Sequence, residues 1–337
     1  MKKRIQWIDI AKGIAILAVI IGHTVPHRGY FKLLWSFIFS FHMPLFFIVS
    51  GYLFNESSFK GIIRKNFKRM IVPYLITFGT YSIYVAYTCE ESFISSILKS
   101  LISIVYGSGK AVEALPCIQS VGALWFLVAL FFSTILFNLI LKIVKDKDRI
   151  TELAIVMGLC IMGYILKDIK YLPWSLDLVL VSQLFMYVGY ELKSMDKGKI
   201  KISNIGFIFL VSLWFLCINK YAFDLNQRAY RDFAISILGS ISGSIVILYI
   251  SQYISRFDYL NRFLTFCGKE SLVILCIHFL EYRIINWYGI FKFTNLNEAS
   301  ALVIIILNIS KLLLIILSTR IVVYLKVKVK SLVLKEL

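Results

Sequence analysis

Residues 9–25, DIAKGIAILAVIIGHTV, form a stretch apolar enough for a membrane core, yet Lys12 stands near its start and His23 near its end. Eleven residues of α-helix turn through about 1100°, within about 20° of whole turns, and rise about 16 Å. Lys12 and His23 therefore share one helix face at two depths. A face of that kind turns towards protein or water rather than lipid.

The rest of the chain has the same character. Of its 337 residues 59% are hydrophobic and 15% aromatic, and only 17% are charged, against about 25% in soluble domains; the mean hydropathy is +0.80. These values place it among all-α polytopic membrane proteins. The net charge of +18 does not indicate nucleic acid, because Lys and Arg fall in short segments between apolar runs, which is the pattern of the positive-inside rule. The leader Met1–Gln6 is too short for a cleavable signal and no A-x-A-like site follows, so the first run is expected to be a retained span. Six cysteines show no CxxC pairing or metal spacing, and no metal site is expected. Cys89 and Cys117 share one polar loop, which allows a disulfide if that loop is extracytoplasmic.

Apolar windows near span length fall at about 8–25, 33–54, 71–88, 121–144, 150–166, 175–192, 203–218, 233–254, 264–286 and 300–325. The fifth and seventh are short. On one side of the resulting bundle lie MKKR, residues 60–69, 142–149 and 193–201, Arg256, Arg262 and the tail KVKVK with Lys335. The other side has a thin scatter: Arg28, Lys32, Lys99, Lys110, Lys167, Lys170, Lys220, Arg228, Arg231 and Lys292. That is about 22 basic residues against about 10, which predicts ten transmembrane helices with both termini in the cytoplasm. Residues 92–107 in the longest outside loop have helical periodicity and suit a surface-lying helix. With no soluble domain, repeat or low-complexity tract, residues 1–337 read as one membrane-embedded domain.

Few ionisable groups fall inside the spans, and those few are the candidate site residues. Lys12 is either a snorkelling lysine held by Asp9, three residues before it, or a cation facing an internal passage. Of four histidines, His23, His42 and His278 fall in spans, while His27 lies in the first outside loop. A lone histidine in a span often only bridges helices; three among so few polar groups favour a site. In the second window, Pro44 predicts a kink just after His42, and Ser50 and Gly51 offer close approach to a helix or ligand. In the ninth, Glu281 follows His278 by three residues and is placed to fix its tautomer. Histidine suits acyl transfer because it takes a proton from an attacking hydroxyl and returns one to a leaving group; the alternative is a proton relay in a carrier. No G-x-S-x-G elbow, H-E-x-x-H or phosphate-cradling glycine loop is present.

Four segments carry a resemblance: IDIAKGIAILAVIIGH (8–23), FHMPLFFIVSGYLF (41–54), GALWFLVALF (122–131) with Trp125, and GKESLVILCIH (268–278). In this order they resemble the integral-membrane acyltransferase 3 family, and within it the branch related to fucose 4-O-acetylase. The resemblance spans nearly the whole chain. It implies a multi-pass enzyme of a bacterial-type plasma membrane that takes an acyl group, usually acetyl, from cytoplasmic acyl-CoA. The acceptor is a hydroxyl of a cell-surface polysaccharide or lipid-linked glycan on the outer side. No permanently bound cofactor and no nucleic acid partner are implied.

Residue by residue, the family's R-x(10)-H pattern falls on Lys12 and His23, with Lys where many members have Arg; the charge is kept and the bidentate fork is lost. His23 would be general base or acyl carrier, with His42 and His278 beside it and Asp9, Ser50, Trp125 and Glu281 in support. Arg64, Lys68 and Arg69 would join Lys12 in holding the phosphates of coenzyme A. The bland reading of the same cations is a positive-inside anchor. The competing functions are a glycan or small-solute transporter or flippase, and a sensor module; a proton-coupled carrier has no need of a site for coenzyme A phosphates.

Overall fold

The computed structural model describes residues 4–27, 29–169, 172–195, 199–220, 223–230, 232–292 and 301–333. Lys2, Lys3, Arg28, Lys170, Lys197, Arg231 and Lys335 of the charge pattern lie outside the described residues. Fourteen helical segments follow one another: α1 (Gln6–Gly22), α2 (Lys32–Tyr52), α3 (Phe59–Asn66), α4 (Val72–Thr88), α5 (Phe93–Tyr106), α6 (Trp125–Val144), α7 (Arg149–Leu166), α8 (Leu176–Met195), α9 (Asn204–Lys220), α10 (Phe233–Ile254), α11 (Asp258–Lys269), α12 (Ser271–Ile284), α13 (Trp287–Lys292) and α14 (Ala301–Val333). Between α9 and α10 a hairpin of β1 (Phe223–Asp224) and β2 (Ala229–Tyr230) pairs antiparallel.

Each of the ten apolar windows holds a helix. Among the described residues, six segments are long and apolar enough to cross a membrane alone: Gly29–Tyr52, Phe59–Thr88, Gly122–Val144, Arg149–Ile169, Phe233–Ile254 and Ala301–Val329. The pair α11 and α12, bent by 73°, is apolar enough only when the two helices are taken together, as a broken span or a re-entrant loop. The difference from ten has a physical basis: α1 and α9 have only 17 residues each, and α8 carries Asp177, Gln183, Glu191 and Lys193. The chain is an all-α polytopic membrane protein.

Local chemistry sets several boundaries. The Ser58, Ser92, Asp148 and Asp232 side chains accept from backbone amides in the first turns of α3, α5, α7 and α10. Pro73 cannot donate to the carbonyl of Arg69, and the chain opens into a π turn at Phe67–Ile71, which joins α3 to α4. Pro44 lies inside α2, which runs without interruption from Lys32 to Tyr52. Helix α5 buries Ser96, Ser100 and Ser103 and turns Ile94, Leu98, Leu101 and Val105 outwards. That inversion suits an apolar surrounding.

Two interfaces depend on glycine. A Cβ on Gly51 would lie 1.9 Å from the Met186 carbonyl oxygen, and one on Gly189 would lie 1.9 Å from that of Ile48, so α2 and α8 touch backbone to backbone. Gly268 meets the Asp9 carbonyl at 1.7 Å and Gly13 that of Leu264 at 2.2 Å by the same construction, fixing α1 against α11. Gly51 thus serves a neighbouring helix. The six cysteines, Cys89 and Cys117 included, are free thiols.

Candidate functional site

A cavity of about 1010 Å³ runs through the bundle, and both Lys12 and His23 line it. At one end it is basic. Arg4, Lys12, Lys65, Arg69, Lys269 and Lys326 line it there, gathered from the start of α1, the α3–α4 segment, the α11–α12 bend and the end of α14. Asp9, buried under this end, accepts from Arg4 Nε at 2.5 Å and from Lys12 Nζ at 2.7 Å. The Asp9–Lys12 pair and the exposure of Lys12 to the cavity coexist, so a lysine held by Asp9 also faces the passage.

The basic run 64–69 divides by helical periodicity. Lys65 and Arg69 are four apart and share the face that lines the cavity. Arg64 and Lys68, also four apart, share the next face and border a separate shallow groove with Phe59 and Phe67. Arg69 thus joins Lys12 at the cavity, and Arg64 and Lys68 do not. Asn66, beside them, is buried and donates to Thr134 Oγ1 at 2.8 Å, which ties this segment to α6.

The middle of the cavity is apolar, walled by Met43, Phe46, Phe126 and Leu130, with Ser50 donating to the Phe46 carbonyl at 2.8 Å. Beyond it lies the imidazole end. His23 closes α1 as its C-terminal cap and opens onto the cavity. Its ring packs 5.4 Å from that of His278, 5.9 Å from Tyr282 and 6.3 Å from Phe39, centroid to centroid. His42 also lines the cavity; its Nδ1–H donates to the Ile38 carbonyl at 2.8 Å, which leaves Nε2 as the unprotonated nitrogen. Phe39 packs edge-on between the rings of His23 and His42.

His278 does not line the cavity. It is 1% exposed and stands behind His23. Its Nδ1–H donates to Glu281 Oε2 at 3.1 Å, and the other carboxylate oxygen accepts from Trp287 Nε1 and lies 3.7 Å from Lys311 Nζ. Lys311, on α14, is 3% exposed and sits over the Tyr282 ring at 5.5 Å. Trp125 is buried at the start of α6, lines the cavity and packs against Gly109.

Sequence reasoning missed Arg4, Lys65, Lys269 and Lys326 at the basic end and Lys311 behind the histidines. It also missed Asp224, Asn226 and Gln227, which line the cavity from the β1–β2 hairpin. Lys311 carried a signal, since a lysine in the middle of an apolar span marks a site by default. The others sit among solvated neighbours and carry none. Among the described residues no group of three His, Cys, Asp or Glu side chains is placed to hold a metal ion.

The described residues form a helical membrane bundle around a cavity that is cationic at one end and imidazole-lined at the other. The sequence profile of an acyltransferase domain, acyltransferase 3, matches residues 5–327, and the chain belongs to that family. Comparison with curated proteins and with solved structures returns no match. The protein is a membrane acyltransferase.

Proposed function

We propose that the protein moves an acetyl group from cytoplasmic acetyl-CoA to a hydroxyl of a cell-surface polysaccharide or lipid-linked glycan. In this reading it lies in a bacterial-type plasma membrane, with both termini and the basic end in the cytoplasm. Residues 1–337 act as one unit. The observation that carries the reading is that Lys12 and His23 line a single cavity. A donor with several phosphates needs cations at the cytoplasmic mouth, and transfer outside needs a base beyond the apolar middle.

The cations of the basic end hold the phosphates of coenzyme A through charge-assisted hydrogen bonds. The flexible arm of the donor then extends along the cavity and brings its thioester to His23. The His23 imidazole takes the proton of the acceptor hydroxyl while that oxygen bonds to the thioester carbonyl carbon. The carbon–sulfur bond breaks, the imidazolium returns the proton to the departing thiolate, and an O-acetyl ester and free coenzyme A remain. His278, anchored by Glu281, positions the His23 ring. His42 presents a second basic nitrogen to the cavity.

The test has two parts. Acetyl-CoA should raise the melting temperature of the purified protein. Surface glycans of a complemented strain should be heavier than those of the deletion strain by whole acetyl groups. Absence of stabilisation at a large excess of acetyl-CoA contradicts the reading and favours a carrier.

A further inference from the structure

The hairpin between α9 and α10 lies at the imidazole end, and its turn is built for more than chain reversal. Asp224, Asn226 and Gln227 all line the cavity that His23 lines. The strand β1 packs on α2. The turn reaches across to the 107–121 loop, where a Cβ on Gly109 would fall 2.1 Å from Asn226 Oδ1 and 2.7 Å from Trp125 Cδ1.

The turn is held rigidly from behind. Arg228, with φ of 55°, donates through Nε and Nη2 to both carboxylate oxygens of Asp177 at 2.8 and 2.9 Å, and through Nη1 to the Asn226 carbonyl at 2.8 Å. This bidentate pair is buried at the start of α8. Asp224 accepts from the Gln227 amide at 3.1 Å, closing the turn. With the backbone fixed twice over, Asn226 and Gln227 are held where both border the cavity. The Asn226 Oδ1 is buried and accepts no hydrogen bond. An unpaired buried amide oxygen is costly and calls for an explanation.

Resting on the acetyl-transfer reading, we propose that this turn is the acceptor subsite: Asn226 and Gln227 hydrogen-bond adjacent hydroxyls of a sugar or other polyol and hold one hydroxyl at His23. Planar carboxamides suit that ligand, because each offers a donor and an acceptor to neighbouring hydroxyls. Trp35, stacked on Phe39 at 4.2 Å between centroids, lines the same end of the cavity and offers a flat apolar wall to the C–H face of a sugar ring. Asp224 keeps the turn closed, and burial pushes its carboxyl up to about 6.

The experiment uses the full chain in proteoliposomes, acetyl-CoA as donor, and base-deacetylated surface polysaccharide from the producing cells as the acceptor probe. Transfer is measured against acceptor concentration. Thioester hydrolysis without acceptor and the acetyl-CoA melting shift report the donor side alone. Asn226→Ala should raise the acceptor KM about tenfold and Gln227→Ala several-fold, as expected for one or two lost hydrogen bonds. The donor KM, the acceptor-free hydrolysis and the melting shift should stay within about twofold. Gln227 is exposed at the turn, so its variant folds even if Asn226→Ala does not. An unchanged acceptor KM in a folded Gln227→Ala protein overturns the subsite, as does an equal rise in both KM values. A parent protein that neither transfers acetyl nor binds acetyl-CoA overturns the acetyl-transfer reading itself, and the subsite falls with it.

Discussion

The rings of His23 and His278 lie 5.4 Å apart, and only His23 faces the cavity. His278 is tied to Glu281, which is in turn tied to Trp287 and Lys311. The order from the cavity inwards is therefore ring, ring, carboxylate, ammonium, drawn from α1, α12 and α14.

In the proposed mechanism that arrangement makes Glu281 a positioning residue. Glu281→Gln keeps its size but removes the anion that fixes the His278 tautomer. The expected result is a kcat at least about tenfold lower with the acetyl-CoA KM unchanged. A kcat within twofold of the parent would show that the network only holds helices together. Lys311→Met leaves the buried carboxylate with one partner fewer and should lower the melting temperature, by an amount equivalent to about 3 kcal/mol.

At the basic end the prediction separates two faces of one helix. Arg69→Glu should weaken acetyl-CoA binding about tenfold or more, because a charge-assisted bond is replaced by repulsion. Arg64→Glu and Lys68→Glu should leave it nearly unchanged, since neither residue lines the cavity. Titration of the three purified variants with acetyl-CoA decides the matter. Equal weakening by all three would mean a diffuse surface charge rather than a site.

The helix interfaces give a prediction independent of function. Gly268→Ala places a methyl group against the Asp9 carbonyl, and Gly51→Ala places one against that of Met186. Both oxygens are backbone and yield only if helices separate, so each variant should lose about 2–3 kcal/mol. Gly158, with nothing within 4 Å of its Cβ position, is the control and should tolerate alanine. Thermal unfolding in detergent is the readout.

Asp224 predicts a pH dependence. Burial raises its carboxyl from an ordinary value of 3.8 to about 6, against the pull of Lys110 and Arg228. The folded state favours the neutral form, so this contribution is fully present below about pH 3.8 and is lost as pH rises through about 6. The total is about 3 kcal/mol. Asp224→Asn keeps the turn-closing oxygen and removes the titration. Its melting temperature, relative to the parent, should therefore climb between about pH 4 and about pH 7. Parallel curves for the two proteins would contradict the assignment.

Much of this was legible in the sequence because a bilayer imposes strong rules. Apolar length marked the position of every window, and an eleven-residue interval placed Lys12 and His23 on one face before any coordinates. The carboxylate of Glu281, three residues after His278, was equally plain. What stayed hidden depends on contacts between distant segments. Periodicity separates Lys65 and Arg69 from Arg64 and Lys68, but not which pair faces inwards; packing against α6 through Asn66 and Thr134 decides that. The bend between α11 and α12 brings Lys269 to the cavity, and no local residue pattern announces it. Asn226 and Gln227 look like ordinary turn residues until the Arg228–Asp177 pair ties the hairpin to α8 at the cavity wall.

Whether the His23 imidazole moves the proton is decided by substituting glutamine for it. Gln keeps a hydrogen-bonding side chain of similar reach but does not shuttle a proton near neutral pH. Acetyl transfer by folded His23→Gln protein, with acetyl-CoA binding confirmed by melting shift, should fall by about 10²–10⁴-fold. His42→Gln and His278→Gln should lose less, because they orient or assist the chemistry without performing it. A His23→Gln protein that binds acetyl-CoA and transfers acetyl at more than about a tenth of the parent rate rules out proton transfer by His23.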